Sequence, residues 1–138
     1  MTDDELLRAA EHVSRRAYCP YSGYAVGAAI LDSDGNVHLG CNVENASYPE
    51  GQCAESGAIA AMVAAGSRQI AAIAVVGAVA SDSADSPFAN VSSCTHCGGC
   101  RQRIREFAGP DTRIVMRAND GTIDTRSVDE LLPDSFGP

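Results

Sequence analysis

The chain has 138 residues, 45% of them apolar and 20% charged, which is enough for one domain with a real core and short for two. Its net charge of −8 sets 18 acidic residues against ten basic ones, which argues against a nucleic-acid partner and favours a small, weakly charged ligand. No uncharged apolar run reaches membrane-spanning length and the start, MTDDELLRAAEH, lacks an apolar signal core, so the expectation is a cytoplasmic protein with no membrane partner.

Residues 3–17 predict an amphipathic helix, with Leu6, Leu7, Ala10, Val13 and Ala17 near helical spacing. CPYSGY (19–24) breaks it with Pro and Gly. AVGAAILDSDGNVHLGCNV then reads as a hairpin, two apolar runs joined by the turn signal DSDGN at 32–36. NASYPEGQ (45–52) is a loop, and the Ala-rich stretch from Cys53 to about Ala65 predicts a buried helix that ends at Gly66. IAAIAVVGAV (70–79) reads as a strand covered on both faces, followed by a small, polar, acidic loop over 80–93. A second helix runs from about Gly98 to Phe107 and is closed by GPD. TRIVMRA (112–118) and TIDTRSV (122–128) read as strands, and SVDELLP as a short helix before the tail DSFGP. The order αββαβαββα implies helices on a mixed sheet in one α/β domain spanning 1–138.

Six cysteines are many for a reducing compartment, and close-spaced thiols there point to metal or catalysis more often than to disulfides. Cys94, Cys97 and Cys100 fall in CTHCGGC, so two overlapping CxxC pairs compete. Cys53 stands just before one predicted helix, and Cys97 and Cys100 stand at the start of another. Helix N-termini carry unpaired N–H groups and partial positive charge, a setting that favours thiolate, the metal-binding form. Two such ends facing each other would offer three thiolates and leave a fourth tetrahedral position open, the pattern of a catalytic rather than a structural zinc. Glu55, two residues beyond Cys53, is then placed to work as a proton carrier beside that position.

CAE (53–55) with CGGCRQ (97–102) resembles the signature of the zinc-dependent nucleoside deaminases. PYSGYAVGAAI (20–30), GCNVENASYP (40–49) and ELLPDSFGP (130–138) extend the resemblance, over most of the chain, to the small cytidine deaminases of free nucleosides. The resemblance implies a three-layer α/β/α fold around a five-stranded mixed sheet. RQ follows the second cysteine of the ligand pair in that family, which implies that Cys53, Cys97 and Cys100 hold Zn2+ and leaves Cys94 over. The implied reaction is hydrolytic deamination of cytidine and 2'-deoxycytidine in pyrimidine salvage, with zinc-activated water as nucleophile and Glu55 as shuttle. By the same resemblance Asn42 and Glu44 bind the ribose, Tyr24 packs on the pyrimidine, the Ala54 N–H holds O2, and the Thr95 carbonyl accepts from the leaving amino group. Phe136 and Tyr48 reach toward a neighbouring subunit's site in an implied homotetramer.

Two positions depart from the family pattern. His96 stands where Pro precedes the cysteine pair, and Ser56 stands where many three-cysteine members carry Arg. Three thiolates and zinc sum to −1, so either the two helix N-termini or another arginine such as Arg101 is left to offset that charge. The remaining candidates have plainer readings. Cys41 is a buried strand residue, Cys19 a loop filler, Tyr18 and Tyr21 packing or hydrogen-bonding residues, Glu50 a surface charge, and His12 and His38 carry no chemistry. Two other classes, a non-catalytic zinc module and a thiol redox protein, use no acid at Glu55.

Overall fold

The computed structural model describes residues 1–79, 91–92, 96–118 and 120–138. Helix α1 (Asp3–Ser14) begins with a reciprocal cap. The Thr2 hydroxyl accepts the Glu5 N–H at 3.1 Å while the Glu5 carboxylate accepts the Thr2 N–H at 2.7 Å, which satisfies two N–H groups that the helix leaves bare. The helix stops three residues before the predicted end. Arg16 and Ala17 donate back only three residues, to the Val13 and Ser14 carbonyls, and Tyr18 turns away to donate to the Asn42 carbonyl at 3.0 Å.

Strands β1 (Tyr24–Asp32) and β2 (Val37–Cys41) form the predicted antiparallel hairpin, with Gly27 opposite Cys41 and Leu31 opposite Val37. Its turn is organised by Asp32, which is 2% exposed. One carboxylate oxygen accepts the N–H groups of Asp34 and Asn36, each at 2.9 Å, and the other lies 2.7 Å from His38 Nε2. His38, read from sequence as an idle strand residue, is thus the latch of the turn. Its hydrogen bond, outweighing the effect of burial and joined by the two backbone bonds, brings the Asp32 carboxyl from 3.8 down to about 2. A depressed carboxyl contributes stability above its unfolded pKa and loses it as pH falls through the folded one. Thermal melts of Asp32→Asn should therefore show a shallower loss of Tm than the parent between about pH 4 and pH 2. Parallel acid profiles for the two chains would dismiss the latch.

Strand β3 (Ile70–Val79) is the centre of the sheet. It pairs antiparallel with β1, as in Ala28 opposite Val75, and parallel with β5 (Ala108–Arg117), as in Ile73 opposite Ile114. β6 (Ile123–Arg126) pairs antiparallel with β5, giving the mixed order β2-β1-β3-β5-β6. A two-residue strand β4 (Val91–Ser92) pairs with the end of β3 within the stretch expected to be loop. The five-strand path and the layering agree with the sequence reading. On one face Ala29, Ala72, Ala74, Val76 and Val115 bury Leu6, Leu7 and Ala10 of α1. On the other, Ala28, Ile30, Ile73, Val75 and Ile114 pack against α2 (Ala54–Ala64), α3 (Gly98–Phe107) and the short α4 (Val128–Leu131). From Ala72 to Val76, alternation along β3 sends neighbouring side chains to opposite layers, which is why its sequence is apolar throughout.

The GPD segment does not close α3 as a loop. The chain enters β5 directly at Ala108, and Gly109–Asp111 fall in a register shift between the pairs Ile70–Ala108 and Ala72–Arg113. The buried Thr112 hydroxyl fills that irregularity, accepting the Gly109 N–H at 2.9 Å and donating to the Ile70 carbonyl at 2.7 Å. Pro110 sits where no ladder N–H is required of it.

Candidate active site

Cys53 is the N-cap of α2 and Cys97 the N-cap of α3, as the helix pattern predicts. The start of α2 is pressed onto β2 at Gly40, where an added Cβ would collide with the Ala54 carbonyl oxygen and the Ala58 nitrogen. Gly40 is therefore needed for close approach, and it sets how near the Cys53 end comes to the sheet. Cys97 Sγ accepts the Cys100 N–H at 3.4 Å, the usual use of a cap side chain.

The three sulfurs of Cys53, Cys97 and Cys100 lie within 4.8 Å of one another. They make the one group of three or more such donors among the described residues. Cys94 lies outside the described residues, as does Thr95. Cys41, expected to be buried, is only half-buried on β2, and Cys19 is half-buried too.

Helix ends alone do not ionise these thiols. Burial pushes the Cys53 thiol up, and it pushes buried Cys100 up strongly, with the Glu55 charge and the other sulfurs adding to the shift. Only exposed Cys97 is lowered, because bonds from the Cys100 N–H and from the neighbouring thiols outweigh its own burial. The expectation of easily formed thiolates thus holds at one position of three. Three sulfurs and a carboxylate so crowded can all be anionic only around a cation, which is what a soft divalent ion such as zinc supplies. The donor set therefore fits zinc. Of the arginines, Arg101 is engaged elsewhere. Its Nε donates to the His96 carbonyl at 2.8 Å and its Nη1 to the Leu131 carbonyl at 2.7 Å. Among the described residues Arg103 is the one that approaches sulfur, with Nη1 3.8 Å from Cys100 Sγ. Ser56 donates to the Cys53 carbonyl at 2.8 Å, a local contact that adds no charge.

Glu55 is 4% exposed, in the first turn of α2. Its Oε2 lies 2.8 Å from Nδ1 of His96, whose side chain is fully buried. Burial pushes the Glu55 carboxyl up, but the hydrogen bond and electrostatic pull of His96 outweigh it, so the net direction is downward. His96 is not among the three clustered donors. Sequence reasoning missed this contact between residues 41 apart.

A cavity of about 610 Å³ opens beside the cluster, of a size that suits a small organic ligand. Cys53, Ala54, Glu55 and Cys97 line it from the two helix starts, and Tyr24, Asn42, Glu44 and Tyr48 from the hairpin and the following loop. The Asn42 amide is held between strands, its oxygen accepting the Val26 N–H at 2.8 Å and its nitrogen donating to the Tyr24 carbonyl at 2.9 Å. Glu44 Oε1 accepts the N–H groups of Tyr21 at 2.9 Å and Ser22 at 3.1 Å; these bonds, the Ser22 contacts foremost, lower its carboxyl. Tyr21, read as packing, also lines the cavity, and its ring meets Tyr48 edge-on at 6.0 Å. No spacing in the sequence signals that pair. Phe136 lies outside the cavity wall and is 87% exposed. Its carbonyl accepts from Gln102 Nε2 at 3.0 Å, and Arg105 holds Ser135 and Pro138 at 2.9 Å each, so α3 clasps the tail. Among the described residues no helix is long and apolar enough to cross a membrane.

This sheet order, with three thiols at two converging helix starts and a buried acid beside them, defines a metal-dependent enzyme of the zinc deaminase class. The family model for the cytidine and deoxycytidylate deaminase zinc-binding region matches residues 1–117. The cytidine deaminase of Halalkalibacterium halodurans is 39% identical over 131 residues, covering 95% of this chain and 91% of that protein. That of Sporosarcina psychrophila is 35% identical, over 99% of this chain and 92% of its own. The crystal structure of cytidine deaminase from Burkholderia pseudomallei superposes with a TM-score of 0.83 at 40% identity, covering 99% of this chain and 100% of that one. The chain belongs to the cytidine deaminase family, and zinc is its cofactor.

Proposed function

We propose that this protein hydrolyses cytidine and 2'-deoxycytidine to uridine and 2'-deoxyuridine, releasing ammonia in pyrimidine salvage. The observation that carries the reading is the buried Glu55 carboxylate beside the sulfur cluster, on the wall of a cavity that Asn42 and Glu44 also line. Cys53, Cys97 and Cys100 hold the ion, which supplies a Lewis acid able to bring the pKa of water to about 7.

The chain's own groups do the rest. Glu55 accepts a proton from the attacking water at the oxygen that does not face His96 and gives it to ring N3, which makes C4 electrophilic. After the C–O bond forms, Glu55 takes the remaining hydroxyl proton and delivers it to the amino nitrogen. The C4–N bond breaks, ammonia departs and N3 keeps its proton, so the balance is one water consumed for one ammonia released. The Ala54 N–H, at the first position of α2, has no partner within the helix and is free to hold O2. Asn42 and Glu44 each keep hydrogen-bonding capacity for ribose hydroxyls, with the backbone bonds already holding them in place. Tyr24 covers the ring. Thr95 is assigned to the departing amino group on family likeness alone. The 87% exposure of Phe136 and 77% exposure of Tyr48 support their serving a neighbouring subunit's site, in a cytoplasmic homotetramer.

Zinc-loaded protein should release ammonia from cytidine and deoxycytidine, and far less from free cytosine, which offers nothing to Asn42 and Glu44. Chelation should abolish the release and zinc restore it. Absence of ammonia from both nucleosides would end the proposal.

A further inference from the structure

We infer that His96 is a positioning residue for Glu55, its Nδ1–H donated to Glu55 Oε2 so that the carboxylate is held with its other oxygen toward the substrate. This deepens the proposed function and rests on it. The family signature has Pro at this place, so nothing in the shared pattern supplies the interaction.

Four observations carry the inference. The two side chains meet at 2.8 Å, so the bond joins the first turn of α2 to the residue just before the N-cap of α3. Both side chains are buried, His96 fully and Glu55 with 6% left exposed, which limits competing water and makes the bond directional. The His96 backbone is fixed as well, since its carbonyl accepts from Arg101 Nε at 2.8 Å. Finally, among the described residues His96 Nε2 is buried with no hydrogen-bond partner. A leucine or proline here would avoid that desolvation cost, so among the described residues the Nδ1 contact is the one polar return on placing a histidine in this position. Metal ligation does not explain the residue, because His96 stands outside the group of three donors.

The effect follows from the shuttle's task. Glu55 must meet a water proton, then N3, then the amino nitrogen, which requires a carboxylate that keeps one orientation through several transfers. A carboxylate with one oxygen pinned has lost most of its freedom to swing, so the entropy of orienting it is spent on folding and not at each turnover. Groups that orient a working ligand or acid in this way are worth about 10–100-fold when removed.

The test uses the zinc-loaded chain and two variants. Leucine fills the volume without a donor, and asparagine keeps an N–H close to the Nδ1 position. His96→Leu should lower kcat for cytidine about 10–100-fold, with KM nearly unchanged and zinc content equal to the parent. His96→Asn should recover most of the loss. A second readout needs no turnover. In histidine 15N spectra of the zinc-loaded parent, His96 should carry its proton on Nδ1, the minor tautomer of free imidazole. His38, with Nε2 on Asp32, is expected to show the opposite form. An Nε2–H tautomer at His96, parental kcat in His96→Leu, zinc loss in that variant, or no gain with asparagine would each overturn the inference while leaving the deaminase reading intact. A parent chain that deaminates neither nucleoside would overturn both.

Discussion

Glu55→Gln should keep its zinc and lose turnover by about 10²–10⁴-fold, the range that a positioned acid–base group supplies. The substitution preserves shape and leaves an amide oxygen for the His96 donor, so α2 and the cluster should stay as they are. What it removes is the capacity to accept and return a proton. The loss should therefore fall on kcat, with little change in KM, because the carboxylate works on atoms whose protonation changes during the reaction. The paired measurements are steady-state kinetics on cytidine and metal analysis of the same preparation. If the glutamine variant keeps more than about a tenth of parental kcat, Glu55 is not the shuttle. If it loses zinc, the acid's role lies in holding the site.

Cys97→Ser should break the site outright. Serine at this N-cap still accepts the Cys100 N–H, so the helix start is spared, but an alkoxide is too costly at neutral pH to replace a soft thiolate. Zinc content should fall from about one ion per chain to a small fraction, with deamination lost in parallel. Cys53→Ser and Cys100→Ser should behave alike, whereas Cys94→Ser should retain its metal. Stripping zinc from the parent should also lower Tm, because an ion that binds only the folded chain contributes about 2.7 kcal/mol at a hundredfold excess over Kd. A Cys94→Ser protein that loses zinc, beside a Cys97→Ser protein that keeps it, would reassign the CxxC pair.

What the sequence made legible is what local pattern and spacing encode. The DSDGN turn, the uniformly apolar β3 and the Ala-rich α2 are each visible within a dozen residues, because periodicity reports which faces are covered. The thiol cluster was legible for a related reason. Cys53 and Cys97 each mark a helix start, and helix starts are local events. The contacts that went unread join segments distant along the chain. Asp32 with His38 closes a turn through side chains, Thr112 spans 42 residues to Ile70, and His96 spans 41 to Glu55. Nothing in the composition around His96 announces its partner, since that follows from how α2 and α3 pack together against the sheet. Arg103 in place of Arg101 beside the sulfur is the same kind of outcome, decided by which side of α3 faces the cluster. The early end of α1 and the direct passage of α3 into β5 are boundary effects, where pairing of Tyr18 and Ala108 with remote backbone overrides local preference.

Helix α3 is fastened at both ends to different parts of the molecule. Cys97 and Cys100 serve the cluster, Ile104 the core, and Arg101, Gln102 and Arg105 the final segment. Adding or deleting a single amino acid between Cys100 and Arg105 would rotate everything beyond it by about 100° and strip the closing turn of its clasp. This stretch can therefore accept many replacements but no change in count, and any length variation in such chains has to be absorbed in the connections and not in this rod.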